Sequence, residues 1–119
     1  MGETLDHAPS EHLRLAAPQA GATFRELRDA LLDAGPLDRQ TCELIVVAGL
    51  ATCGFEDSFK IHARRALAMG ASLDALRHAV VITLAASSVM YQVARALSWV
   101  DDLEREREVR QSGPPQTAD

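Results

Sequence analysis

The sequence predicts an all-α protein, and three observations lead to this prediction. Apolar residues recur every three or four positions along most of the chain, as they do on one face of a helix. No segment shows the strict apolar–polar alternation that is typical of a half-buried β-strand. Hydrophobic residues make up 47% of the 119 residues but aromatic residues only 4%, so small, helix-compatible side chains must fill the core. This length is typical of one domain.

The N-terminal part of the chain carries signals for a short element followed by a helix. Residues 1–17 are predicted to form a loose arm or a short helix, which must end before Pro18 because proline disfavours helical backbone in the preceding residue. Thr23 and Glu26 match a capping box, so the next helix is predicted to begin there. Gly35 is the stop signal of this helix.

Asp38 is well placed to cap another helix, which is predicted to run to about Thr52. The middle of this helix, residues 44–51, is apolar on every side, and such a helix is normally buried all round. Gly49 costs roughly 1 kcal/mol in a helix interior relative to alanine, which favours a close helix crossing at this position.

A helix from about Glu56 to Met69 is predicted to follow a break at Gly54, with Gly70 as its stop signal. Its apolar stripe contains one imidazole. The stripe consists of Phe55, Phe59, His62, Ala66 and Met69.

Two more helices complete the predicted fold. Ser72 is placed to cap a helix that ends near Ser87 and has an all-round apolar middle. The last helix has its apolar residues over 89–100 and continues into the mixed-charge residues 101–108, which lack an apolar face. We expect this extension to be solvated and the tail from Ser112 to be disordered.

These elements define one helical domain over residues 18–103, followed by a charged extension and a disordered tail over 104–119. Two helices that are apolar all round cannot both be buried within one domain of this size, because a small domain leaves much of its surface exposed. The sequence therefore predicts a homo-oligomer.

The composition argues against several classes of protein. A net charge of −5 provides no basic patch for nucleic acid. The longest apolar run, residues 79–86, is far shorter than the ~18–20 residues that cross a bilayer. The charged N-terminus has no apolar core, so we expect no signal peptide and a cytoplasmic location. The two cysteines then stay reduced.

Glu43 and His62 are the polar residues that stand out, because each lies among apolar side chains. A buried carboxylate needs a partner or must stay neutral, and helices joined by a short break pack side by side. His62 on the neighbouring helix is the natural partner. The pair is either a general acid/base site or a structural link between two helices. The chain contains no Glu-x-x-His spacing, so no metal is expected.

One pattern in the centre of the chain resembles the carboxymuconolactone decarboxylase family, which includes the alkylhydroperoxidase D-like proteins. The similarity extends over about residues 36–97 and is carried by Leu37-Asp38-x-x-x-x-Glu43-Leu44-Ile45 and His62-x-x-x-Ala66-x-x-x-Gly70-Ala71-Ser72. The resemblance implies a five- to six-helix alkylhydroperoxidase D-like bundle that assembles as a homotrimer or homohexamer.

The redox branch of that family carries a Cys-x-x-Cys motif, whose two positions fall here on Phe55 and Ser58. Without a dithiol, peroxide reduction lacks both its attacking and its resolving thiol. The resemblance therefore implies the decarboxylase branch, a cofactor-free lyase or isomerase that acts on a small lactone or carboxylic acid. Glu43 and His62 are its predicted catalytic residues.

In such an enzyme an arginine would hold the substrate carboxylate. Arg39, Arg64 and Arg95 are the candidates, and Arg95 is favoured because it lies one turn from Tyr91. The predicted binding residues are Phe55, Ser58, Phe59, Tyr91 and Arg95. Ser87-Ser88-Val89-Met90 replaces the glycine-proline entry of the decarboxylase pattern.

Two other functions stay open at this point. One is a thiol antioxidant activity of the alkylhydroperoxidase type through Cys53, and the other is a non-catalytic member that binds a small ligand or builds an assembly.

Overall fold

The computed structural model describes residues 9–113, and within this range the chain forms six α-helices and one 3₁₀-helix without any β-strand. The all-α prediction is confirmed. Residues 1–8 of the predicted N-terminal arm and residues 114–119 of the predicted tail lie outside the described residues. The helices are α1 (Pro9–Ala16), α2 (Pro18–Leu32), α3 (Arg39–Cys53), α4 (Glu56–Ala68), α5 (Leu73–Val81), the 3₁₀-helix (Ile82–Ala85) and α6 (Met90–Ser112).

The core lies within α3 to α6, which we call the bundle (residues 39–112). In the bundle α3 packs against α4 and α5, and α6 packs against α4 and α5. Phe59 and Trp99 meet edge to face at its centre, with ring centroids 5.2 Å apart. The remaining buried apolar residues are Val47, Ala51, Ala63, Ala66, Ala71, Leu76, Val80, Val93, Ala96, Val100 and Leu103. Among the described residues no helix is both long and apolar enough to cross a bilayer.

The caps of the bundle helices agree with the sequence signals. The Asp38 carboxylate accepts a 2.7 Å hydrogen bond from the backbone N–H of Thr41, and this bond lowers the pKa of Asp38. Ser72 caps α5 in the same way. Gly54 (φ +77°) and Gly70 (φ +101°) follow the ends of α3 and α4 in the left-handed region, which glycine enters without steric cost.

The predicted start of the second helix at the capping box of Thr23 and Glu26 is wrong. The helix begins at Pro18, whose fixed φ suits the first helical position. Thr23 lies inside the helix and donates its hydroxyl to the carbonyl of Gln19 at 3.0 Å. Pro18 therefore both ends α1 and begins α2.

The helices α1 and α2 form a separate layer, which we call the hairpin (residues 9–32). They pack closely at Gly21, where an added Cβ would lie only 2.6 Å from Cα of Arg14. Neither helix has extensive contacts with the bundle. No residue of α1 is buried, and Gly21 is the only buried residue of α2.

The helix after Ser72, which was expected to reach Ser87, is shorter than predicted. It ends at Val81 and continues as one 3₁₀ turn. The carbonyl of Thr83 accepts hydrogen bonds from the backbone N–H groups of Ala86, Ser87 and Ser88 at 2.9–3.1 Å, which closes the turn.

The two helices with apolar residues all round are not buried all round within one chain. Ile45 of α3 is 56% exposed and Ile82, just after α5, is 59% exposed. This agrees with the expectation that one domain of this size cannot bury both helices, because the bundle covers only one side of each. The other large apolar side chains exposed on the bundle are Phe55, Met69, Val81, Leu84, Val89, Met90, Tyr91 and Val109.

The charged part of α6 is not simply solvated, contrary to expectation. Leu103 is 2% exposed and belongs to the core. Acidic side chains on the same stretch pair with basic side chains of α4 and α5. These ion pairs join α6 to its neighbours where the stretch lacks an apolar face. The pairs are Lys60–Asp102 (2.9 Å), Arg64–Glu106 (3.1 Å), Arg77–Asp101 (3.1 Å) and Arg77–Glu104 (2.8 Å).

The Lys60–Asp102 pair makes the stability of the bundle depend on pH. The hydrogen bond from Lys60 holds the pKa of Asp102 below its usual range. A carboxylate whose pKa falls on folding stabilises the fold above its unfolded pKa of ~3.9, and this contribution is lost as the pH falls through the folded pKa.

We expect Asp102→Asn to lower the free energy of unfolding by about 0.5 kcal/mol at pH 7, a small effect because solvent screens a pair that is partly exposed. The difference in the free energy of unfolding between the variant and the wild type should disappear below pH ~3.9. Urea unfolding at pH 7 and pH 3 measures both values. Asp74→Asn, at a side chain that is 97% exposed, is the control. An equal gap for Asp102→Asn at both pH values would contradict the prediction.

Candidate functional site

Helices α3 and α4 bring Glu43 and His62 together. The short connection at Gly54 folds α4 back along α3, so that Nδ1 of His62 lies 2.7 Å from Oε2 of Glu43. Glu43 is 1% exposed, whereas the side chain of His62 keeps 18% of its surface accessible. The predicted contact between these two residues is confirmed.

The burial of Glu43 determines how the imidazole is oriented. When Glu43 is ionised it only accepts hydrogen bonds, and Nδ1 of His62 is then the donor to its Oε2. In the neutral ring the lone pair then resides on Nε2. In this arrangement Nε2 of His62 is the nitrogen that is available to accept a proton and to return it.

His62 lies in the wall of a cavity of about 260 Å³ between the hairpin and α4. The wall is mostly apolar but contains a hydroxyl, the imidazole and two guanidinium groups. It is formed by Pro9, Ser10, Leu13, Phe24, Arg28, Ser58, Ile61, His62 and Arg65.

The two guanidinium groups belong to Arg28 and Arg65, which sequence reasoning missed. Ser58, His62 and Arg65 have helical i, i+4, i+7 spacing, which is a signal for Arg65. Nothing local marks Arg28, which reaches the cavity only because the hairpin packs over α4.

The charges of this cluster act on one another. Burial lowers the pKa of Arg65, and the nearby charge of Arg28 lowers it further. Glu43 and Asp29 act in the opposite direction. Nε of Arg28 is buried and has no hydrogen-bond partner among the described residues.

The structure brings one of the five predicted binding residues to the cavity. Ser58 lies in the wall beside His62. Phe59 is fully buried in the core, because its position three residues before His62 faces α6. Phe55 and Tyr91 are 58% and 76% exposed and do not line the cavity.

Arg95, the favoured carboxylate-binding residue, lies away from His62. Its guanidinium stacks over Trp99 at 5.2 Å and donates a 2.9 Å hydrogen bond to Gln92. The alternatives Arg39 and Arg64 are also engaged elsewhere, with Asp33 and Glu106 respectively. Their shortest ion-pair distances are 2.8 Å and 3.1 Å.

Neither cysteine lines the cavity. Cys42 is half-buried, with its sulfur near the carbonyls of Leu32 and Leu37, and Cys53 is exposed at the end of α3. Both thiols are free. Within residues 9–113, no three His, Cys, Asp or Glu side chains gather as metal ligands would.

Comparison with known proteins assigns the chain to a family. No curated protein and no solved structure matches it significantly. The model of the carboxymuconolactone decarboxylase family matches residues 18–102, which include α2 to α5 and the first half of α6. This match spans well over half of the sequence. The chain therefore belongs to the carboxymuconolactone decarboxylase family.

Proposed function

We propose that the protein is a cofactor-free lyase or isomerase that acts on a small lactone or carboxylic acid. His62 serves as general acid and base, and Glu43 is the residue that positions it. One observation carries the proposal: a buried carboxylate holds, at 2.7 Å, an imidazole that belongs to the wall of a cavity.

The arrangement of the pair suits proton transfer. Histidine side chains in general change charge near neutral pH, so an imidazole both takes up and releases protons under ordinary conditions. Glu43 fixes the ring through Nδ1 and stabilises the imidazolium that forms when Nε2 accepts a proton. The same carboxylate–histidine arrangement orients the base in many enzymes that use general acid–base catalysis.

In a decarboxylation, the bond between carbon and the carboxylate breaks and CO₂ leaves. The electron pair passes into an adjoining conjugated carbonyl as an enolate. Protonated His62 then delivers a proton from Nε2 to carbon, and the ring regains a proton from solvent. In an isomerisation, His62 removes a proton beside a carbonyl and returns it to a different carbon.

The cavity fits a small substrate of this kind. Its volume of about 260 Å³ lies just below the range of roughly 300–1,000 Å³ that is typical of ligand pockets. Leu13, Phe24 and Ile61 provide apolar walls. A weakly hydrated site strengthens the interaction of developing negative charge with the nearby cationic groups.

We also propose that the protein acts as a homo-oligomer, either a trimer or a hexamer. The proposal is supported by the number of large apolar side chains that remain exposed on the bundle, since exposed apolar surface of this kind is typical of an interaction surface. Sedimentation equilibrium measures the subunit number.

The reaction is tested in D₂O with EDTA-treated protein and a panel of small unsaturated lactone acids and β-keto acids. We expect at least one acid to release CO₂ and to take up one deuterium on carbon per turnover, or to exchange hydrogen beside its carbonyl. A panel without CO₂ release or deuterium uptake would contradict the proposal and favour a binding role. Consumption of peroxide with a thiol reductant would favour the antioxidant alternative.

A further inference from the structure

We propose that a small apolar acid docks the hairpin onto the bundle, with its carboxylate held between Arg28 of α2 and Arg65 of α4. The proposal uses the same cavity as the proposed function, but it concerns binding and does not depend on turnover. A ligand that is bound but never transformed would satisfy it.

Two positive charges meet at this cavity. Arg28 and Arg65 border one cavity, from different layers of the fold. Within residues 9–113 neither has a carboxylate in ion-pair range: Oε2 of Glu43 is bonded to His62, and Asp29 approaches Arg39 at 4.0 Å. Two neighbouring guanidinium groups repel each other, and a bound anion would remove that repulsion.

Arg28 also carries a hydrogen-bond donor that is not satisfied within the described residues. Nε of Arg28 is buried without a hydrogen-bond partner among the described residues. A buried donor without a partner is costly, and native structures contain few of them. An oxyanion between the two side chains would accept hydrogen bonds from both guanidinium groups, and Nε of Arg28 would gain a partner once this side chain turns toward the anion.

The chemistry of the cavity wall indicates which ligand fits it. A carboxylate matches the planar fork of a guanidinium and accepts two parallel hydrogen bonds from it. The remaining walls of the cavity, including Leu13, Phe24 and Ile61, are apolar. They favour a carboxylate on a compact apolar body over a free inorganic anion.

The hairpin itself has little buried surface that would hold it on the bundle. Only Gly21 is buried in it, and that residue packs against α1 rather than against the bundle. Ion pairing between Asp33 and Arg39, at the connection from α2 to α3, secures one end of the layer. An anion that touches Arg28 and Arg65 together would secure the face that covers His62.

The test uses benzoate as the probe, benzamide as its neutral counterpart and inorganic phosphate as the purely anionic one. Isothermal titration measures binding to the full chain, and hydrogen–deuterium exchange follows the backbone amides of α1 and α2. We expect benzoate to bind and to slow exchange in the hairpin, and the other two compounds to do neither at the same concentration.

Arg28→Gln and Arg65→Gln should each weaken benzoate binding by roughly ten- to a hundredfold, as expected for the loss of hydrogen bonds to a charged group. Arg28→Lys keeps the positive charge but loses the planar guanidinium, so its benzoate affinity should lie between those of the wild type and Arg28→Gln. Arg25→Gln is the matched control, since this arginine lies one turn away on α2 and outside the cavity wall. Circular dichroism verifies that each variant is folded.

Several results would overturn the proposal. Unchanged benzoate affinity in both glutamine variants would show that the two arginines do not hold the carboxylate. Equal binding of benzamide or phosphate would show that the cavity does not select an apolar acid. Benzoate binding without slower exchange in α1 and α2 would show that the ligand does not secure the hairpin. Failure of the D₂O assay alone leaves these measurements untouched.

Discussion

His62→Gln is expected to lower the rate of deuterium uptake and CO₂ release by roughly 10²–10⁴-fold, the usual contribution of a general acid or base. Glutamine is close to histidine in size and can still donate a hydrogen bond to Glu43. It cannot carry a proton between solvent and substrate carbon. The fold should therefore persist while the chemistry is lost, and steady-state rates on the most active acid of the panel measure the effect.

His78→Gln is the control for this substitution. His78 is an exposed residue of α5 and does not line the cavity, so its replacement should leave the rate unchanged. Glu43→Gln retains a partner for the ring but removes the charge that stabilises the imidazolium, so its rate should lie between those of the wild type and His62→Gln. Turnover that survives His62→Gln intact would make the pair a structural link.

Phe59→Ala is expected to lower the free energy of unfolding by about 3–5 kcal/mol, the range for truncating a large aromatic residue in a core. Phe59 is fully buried and meets Trp99 edge to face. The substitution removes that contact and leaves a cavity that the surrounding α4 and α6 side chains fill only in part. Since domains are marginally stable, such a loss is a large part of the total.

Urea unfolding followed by Trp99 fluorescence and by circular dichroism measures this difference. Phe55→Ala is the matched control, because the same side chain lies four residues earlier and is 58% exposed. It should cost less than about 1 kcal/mol. Similar losses at Phe55 and Phe59 would contradict the assignment of Phe59 to the core.

The sequence predicted the bundle well where local rules and burial agree. Asp38 and Ser72 satisfy backbone N–H groups at helix starts, and these caps are found where they were expected. Thr23 shows the limit of such rules, since a correct capping pattern inside a helix has no effect once Pro18 has started that helix a turn earlier. Local rules also missed the end of α5 at Val81. The chain continues there as a 3₁₀ turn, which closes when the carbonyl of Thr83 accepts hydrogen bonds from three backbone N–H groups.

The candidate site was only half predictable from the sequence. Glu43 and His62 could be paired because a charge in an apolar helix requires a partner on an adjacent helix. Arg28 could not be placed, because its neighbours along α2 give no sign of the surface on which α2 rests. Arg95 was favoured because it lies one turn from Tyr91, yet its guanidinium stacks over the ring of Trp99.

The division of the site between two layers separates two tasks. Glu43 and His62, for which we propose proton transfer, lie in the bundle, where a change of side-chain volume disturbs the core. Arg28, Phe24 and Leu13 are carried by a layer that shares no core with it. Exchange of residues 9–32 for a different helical pair should therefore change which acids enter the cavity while the reaction stays the same. Selection on this region alone would then provide a route to new substrates.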